Sequence, residues 1–338
     1  MSGTGVVVFT RDLRMHDHPA LAAAQRECRT VVPLFALDSK LLDRSPRRTA
    51  LLRERLDQLR GAGLTVVTGP LREEIARFDP DAVYLSTDVS AYAQRRERLL
   101  REHFDVRTFP GITIVPPGDL APARKRCYSV FTPYWRAWNA LAPPAAVDSG
   151  PRLPDPDAPL SALLHFGIAS PAEIARGADE DLRRKLCWRD FFAQLLAARP
   201  ELEWRDMHAG RRAWRDDAGA VSAWKEGRTG VPFVDAAMRQ LLAEGYIPNR
   251  QRMVAASYLA KDLGLDWRVG AAHFQTHLID GDVASNSGNW QWVAGTGADT
   301  RPNRRFNPER QARLHDPDGA YVARWLSPTA AAPEMVPS

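Results

Sequence analysis

GVVVF (residues 5–9), then Pro19 opening ALAAAQREC (20–28), then VVPLFAL (31–37): this succession decides the fold. The two short apolar runs, bounded by polar residues, have the pattern of strands buried on both faces. Pro19 sits where the first helical turn tolerates a missing N–H. The alternation continues. Ser45-Pro46 starts a helix that ends at Gly61, and LTVVTG (64–69) reads as a strand. A helix from about Leu71 to Phe78, a strand over AVYLST (82–87) and a helix over YAQRRERLL (92–100) follow. Residues 1–115 are therefore expected to form an α/β domain, a doubly wound, Rossmann-like parallel sheet with helices on both faces. Ligands of such sheets bind beyond the carboxyl ends of the strands. Those ends read Thr10-Arg11-Asp12, Asp38-Ser39 and Thr87-Asp88. No GxGxxG follows the first strand, so an ordinary dinucleotide site is not expected there.

Beyond this region the pattern changes. LAPPAAVDSGPRLPDPDAPL (141–160) is rich in Pro, Asp and Ala and reads as a linker. DEDLRRKLCWRDFFAQLLAARP (179–200) reads as a helix stopped by Pro200. FVDAAMRQLLAEG (233–245) carries an apolar stripe at 234, 237, 238, 241 and 242 and ends on Gly245. QRMVAASYLAKDLG (251–264) ends the same way, and WRVGAAHFQTHLIDGD (267–282) runs into an acidic turn. The expected organisation is an α/β domain over 1–130, a linker over 131–160 and an all-α domain over 161–338.

Bulk properties narrow the function classes. No run of eighteen apolar residues occurs, so no membrane span is expected. MSGTGVVVFT at the N-terminus reads as the start of a strand and not as a secretion signal, which points to a cytoplasmic protein. Cys28, Cys127 and Cys187 are far apart and lack CxxC spacing, which argues against a disulfide framework or a metal site. The net charge of +5 is mild, carried mostly by arginine, and fits a nucleic-acid partner without demanding one. All ten tryptophans fall after residue 130, so the two regions are built for different tasks.

TRDLRMHDHPAL (10–21), WRDFF (188–192), WKEGRTGVPFVDAAMRQL (224–241), NRQRM (249–253), DWRVG (266–270), IDGDVASNSGNWQW (279–292) and FNPERQ (306–311) occur in one order along the chain. Together they resemble the successive motifs of the DNA photolyase/cryptochrome family, as found in class I cyclobutane pyrimidine dimer photolyases. The resemblance implies an antenna-type α/β domain followed by an all-α domain that binds flavin adenine dinucleotide (FAD). It implies light-driven transfer of an electron from reduced FAD to a pyrimidine dimer in DNA, which splits the cyclobutane ring. Such enzymes extrude the target from the duplex.

Residue by residue, the resemblance implies FAD contacts at Ser161, Arg189, Asn249, Arg252, Asp280, Asp282 and Asn286, with Asn286 beside the flavin N5 atom. Trp188 and Trp292 match the walls of the pocket for the flipped-out dimer, where stacking on indole suits a flat base pair. Asn249 and Met253 match residues of that pocket. Arg189, Arg250 and Gln311 match DNA contacts. Trp290, Trp267 and Trp214 match a chain that conducts electrons to the flavin. Arg11, Asp38 and Asp88 are candidates for a second, antenna chromophore of deazaflavin or folate type. A monomer acting on damaged DNA, with no metal, is expected.

The chain also departs from the family. The helical segment that normally precedes Trp188, with a flavin-contacting tyrosine, is missing. LSALLHFGIASPAEI (160–174) resembles the second half of a stretch that contacts the flavin phosphates; Ser161 remains, and Ala158-Pro159 stands where a Thr-Ser-Arg run is usual. Lys185 takes the place of a glutamate that contacts the dimer, a charge reversal on the face shared with Trp188 and Arg189. These departures leave open a cryptochrome-like light sensor without repair, or a flavin-poor relative acting as a DNA-binding module.

Overall fold

Thr4–Val8 forms β1 and Thr30–Ala36 forms β2 in the computed structural model. The structure describes residues 3–327 except 39–41, 43–44, 209–212, 299–300 and 302–303. Thr65–Val67, Ala82–Ser86 and Val106–Phe109 follow as β3, β4 and β5. All pairings are parallel, in the order β3-β2-β1-β4-β5. Val6 is opposite both Val32 and Val83, so the central strand is paired on both edges, and Val6, Val7 and Val8 are buried. The doubly wound α/β expectation is met. Strand β5 was not legible in the sequence, because VRTF is four residues long and interrupted by Arg107.

The helices between these strands are Pro19–Glu27 (α1), Pro46–Gly61 (α2), Leu71–Ala76 (α3) and Ala91–Arg101 (α4). His18 caps α1 by accepting the Leu21 N–H on Nδ1, so Pro19 is preceded by a satisfied N-terminus. Arg14, wholly buried, donates to the carbonyls of Asp17, Gly167 and Gly111. The TRDLRMHD motif therefore ties the end of β1 to two distant loops. Gly167 is obligatory at this tie. Its φ is +64°, and a Cβ would lie 2.0 Å from the Arg11 carbonyl oxygen.

The chain divides into two compact units, Met1–Glu201 and Leu202–Ser338. The first unit also holds α5 (Phe131–Asn139), α6 (Leu160–Phe166), α7 (Pro171–Gly177) and α8 (Glu180–Ala198). Two features differ from the sequence expectation. Residues 131–139, expected within the linker, are helical, because Phe131, Tyr134, Trp135 and Trp138 fall on one face and are buried. Helices α6 to α8, expected in the second domain, fall in the unit that holds the sheet. Asp190 of α8 explains this. Buried to 1% exposure, its Oδ2 accepts from the backbone N–H groups of Ile114 and Val115 and from the Trp138 indole.

The second unit is helical: α9 (Ala218–Lys225), α10 (Pro232–Glu244), α11 (Asn249–Ser257), α12 (Trp267–His277), α13 (Val283–Ala294), α14 (Pro308–His315) and α15 (Ala320–Leu326). Its core is built on Trp224, Met238, Leu241, Val254, Trp267, Phe274 and Trp290. Gly245 ends α10 and Gly295 ends α13, both left-handed.

Candidate functional site

In the second unit, α11, α12, α13 and the acidic turn between the last two line a half-open pocket. Asn249, Arg252, Met253, Asp280, Asp282, Asn286 and Trp290 all line it. Seven residues singled out in the sequence thus converge on one cavity.

Each is held by a local device. Arg252 forms a two-pronged ion pair with Asp280, at 3.0 Å from Nη1 to Oδ1 and 2.8 Å from Nη2 to Oδ2. Its Nε donates to the Ile247 carbonyl, and its guanidinium lies over the Tyr246 ring. Asp282 caps α13 by accepting the Ser285 N–H at 2.7 Å. Asn286 donates its amide N–H groups to the Ala271 carbonyl at 2.9 Å and to Gln275 at 3.3 Å. Gln275 in turn donates to the Gly281 carbonyl. This arrangement fixes the Asn286 amide and leaves its oxygen as the acceptor. Trp290 packs on Gly270, where a Cβ would meet the indole Cη2 at 2.1 Å.

The lining fits a flat ring system with a hydrogen-bonding edge. Phe274, Leu278, Ala256 and Val293 supply an apolar wall, and Asn249, Ser285, Asn286 and Asn289 supply polar atoms. The ionised groups are Arg252, Asp280 and Asp282, which leave the lining net negative. That balance suits the uncharged ring part of a dinucleotide better than its pyrophosphate.

The three expected electron carriers share one core. Trp267 is fully buried and Trp290 is 3% exposed, while Trp214 is half-buried against the same cluster. The Trp267 indole donates to Asp206 at 2.8 Å. Trp224, not singled out from the sequence, stands edge-on to Trp290 with centroids 5.9 Å apart. Trp292 has Arg304 over its ring at 5.1 Å and Phe306 6.3 Å away. Arg250 lies over Phe306, and Gln311 is on α14.

The other candidates lie in the first unit. Trp188 stacks face to face on Phe131, centroids 3.6 Å apart and planes 2° from parallel. Phe131, Trp135 and Trp138 continue as a stacked row, with Arg184 and Arg183 over its rings. Arg189 donates to the carbonyls of Ile112 and Leu164, so its guanidinium has a structural task in this unit. Ser161 is exposed on α6. Lys185 is exposed and pairs with Asp181 one turn earlier on α8, at 2.6 Å. Arg11 pairs with Asp88 at 3.6 Å, and Asp38 accepts from the Tyr92 hydroxyl. Among the described residues, no group of three or more His, Cys, Asp or Glu could hold a metal ion. No described helix is long and apolar enough to cross a membrane.

Comparison with known proteins shows the family. Residues 182–336 match the family model for the FAD binding domain of DNA photolyase, and residues 5–156 match the model for DNA photolyase. The deoxyribodipyrimidine photo-lyase of Streptomyces griseus is 39% identical over 405 aligned positions, covering 95% of this chain and 89% of that protein. Those 405 positions exceed the 338 residues of this chain, so the alignment opens gaps in it. An archaeal photolyase from Sulfolobus tokodaii, solved with two FAD molecules, superposes with a TM-score of 0.85 at 28% identity, covering 98% of this chain and 91% of that one. A class III photolyase from Agrobacterium tumefaciens gives 0.83 at 28% identity, covering 96% and 86%.

Proposed function

The chain belongs to the DNA photolyase family, and from that premise we propose that it is a flavoenzyme that splits cyclobutane pyrimidine dimers in DNA under light. The observation that carries this reading is the pocket formed by Asn249, Arg252, Met253, Asp280, Asp282, Asn286 and Trp290, within the stretch that matches the FAD binding domain. Bound reduced FAD supplies the light-excited electron; the protein orients the cofactor and tunes it. The Arg252–Asp280 pair and the capping Asp282 hold the polar edge of the ring system. Asn286 offers an acceptor, which suits a flavin edge that carries a proton at N5.

The remaining roles are those that the resemblance to the family implies. Trp188, backed by Phe131, offers a stacking surface for an unstacked base, and Trp292, beneath Arg304, offers another. Arg250, Gln311 and Arg189 are DNA contacts by that resemblance, Ser161 and Arg189 FAD contacts, and Met253 and Asn249 dimer contacts. Trp290, Trp267 and Trp214 conduct electrons to the cofactor. Arg11, Asp38 and Asp88 mark a site for an antenna chromophore. The protein acts as a metal-free cytoplasmic monomer.

The test is direct. The purified protein, reconstituted with FAD, should show flavin absorption bands. When reduced and illuminated with a dimer-containing oligonucleotide, it should consume the dimer. Absence of flavin bands overturns the reading; flavin without dimer loss converts it to light sensing.

Lys185 supplies a second prediction. The hydrogen bond from Lys185 to Asp181 raises its pKa, so it is cationic at neutral pH. It stands where a dimer-contacting carboxylate is expected. Restoring an acceptor with Lys185→Glu should tighten dimer binding about tenfold, the size of one charge-assisted hydrogen bond. The cost on α8 is a few tenths of a kcal/mol of repulsion with Asp181. Equal dimer affinity of the two proteins would show that position 185 does not meet the dimer.

A further inference from the structure

As the Trp138 indole does to Asp190 in the first unit, the Trp267 indole N–H donates to a carboxylate, Asp206 Oδ1, at 2.8 Å. Arg268 bridges this pair to a second carboxylate. Its Nη2 meets Asp206 at 2.9 Å and its Nη1 meets Asp266 at 3.0 Å, while its guanidinium lies 4.8 Å over the Trp267 ring. Two carboxylates and one guanidinium leave the surroundings of the ring with one net negative charge. A positive charge arriving on the ring neutralises that excess.

We propose that Asp206 is the proton acceptor of oxidised Trp267, which makes this ring a resting place for the positive charge within the conducting chain. The inference rests on the reading that Trp290 and Trp267 conduct electrons toward the flavin pocket. The balance is as follows. Trp290 gives one electron to the excited cofactor and regains one from Trp267. Trp267 is then a radical cation. Its indole proton passes along the existing hydrogen bond to Asp206 Oδ1, leaving a neutral indole radical and a neutral carboxylic acid. No atom beyond that proton moves; Trp214, the third carrier, returns the electron later and is itself refilled by an external thiol.

Three physical points favour the step. Trp267 has no exposure to water, so an unaided cation there is strongly penalised. The donor and acceptor are already at hydrogen-bond distance, so no reorganisation precedes the transfer. The guanidinium over the ring repels a cation but not a neutral radical, so losing the proton relieves that repulsion. Asp266 still pairs with Arg268 once Asp206 is protonated.

Transient absorption on the flavin-loaded protein distinguishes the tryptophan cation from its neutral radical. The wild type should convert cation to neutral radical before any exchange with solvent buffer, and more slowly in deuterium oxide. Asp206→Asn keeps an acceptor of similar shape but a far weaker base. In that variant the cation should persist roughly tenfold longer or more, the equivalent of at least one pKa unit of lost acceptor strength. Asp206→Glu should restore much of the wild-type rate. If Asp206→Asn does not load flavin, the wild type alone decides: its cation decay should slow in deuterium oxide. An unchanged lifetime in the variant or in deuterium oxide overturns the proposal and leaves the flavin reading intact. A wild type that gives no tryptophan radical on illumination overturns the conducting-chain reading as well.

Discussion

Replacing Asp280 by alanine should destabilise the second unit by about 3–5 kcal/mol and abolish flavin retention. The Asp280 side chain is 3% exposed, and both its oxygens are engaged by Arg252. Removing the carboxylate leaves a largely buried guanidinium with the Ile247 carbonyl but without its anion. The penalty is set by that stranded charge more than by the worth of the pair itself. Asp280→Asn keeps one acceptor and should lie between the two. Urea unfolding followed by tryptophan fluorescence measures stability, and equilibrium dialysis of FAD measures retention. A variant within about 1 kcal/mol of wild type, a change usual for many substitutions, would mean that Arg252 finds water or another partner.

Asp190→Ala should be as damaging to the first unit. It orphans three buried donors at once: two backbone N–H groups, of Ile114 and Val115, and the Trp138 indole. Each orphaned donor costs about 1–3 kcal/mol, so the sum rivals the stability of a whole domain. The same residue predicts a pH dependence. Burial pushes the Asp190 carboxyl up to about 6, against the opposing pull of the Val115 N–H, Arg189 and the Trp138 indole. A folded pKa above the unfolded value means that the folded state binds more protons between the two. The contribution of Asp190 to stability is therefore complete below about pH 4 and is lost as pH rises through about 6. The difference amounts to about 3 kcal/mol. Asp190→Asn, which cannot ionise, should flatten this part of the stability profile. An unaltered slope between pH 4 and 7 would mean that Asp190 is not its source.

These two residues also mark how far the sequence could be read. Asp280 was legible: a carboxylate in an acidic turn after an amphipathic helix, inside a run of motifs with family order. So were the parallel sheet, because GVVVF and VVPLFAL are apolar runs with helical signals between them, and the convergence of α11 to α13, because their motifs resemble one known pocket. Asp190 carried no such signal. It is one acid within a helix full of charged residues. Its importance appears only when loop 112–115 and α5 bring three N–H donors to it from some fifty to seventy-six positions away in the chain. Asp206 was silent for the same reason, since its indole partner is 61 residues distant. Phe131 lay in what looked like a linker, and only packing placed its ring flat against Trp188.

The sequence by itself therefore determined the elements whose cause is local: strand runs, helix caps, terminating glycines and the types of side chain offered to a cofactor. Periodicity and capping act over a few residues and are written in order along the chain. Tertiary structure alone decided which polar groups are buried together, what charge surrounds each tryptophan, and where α6 to α8 belong. Those outcomes depend on desolvation and on hydrogen bonds between distant segments, and neither has a local sequence signature.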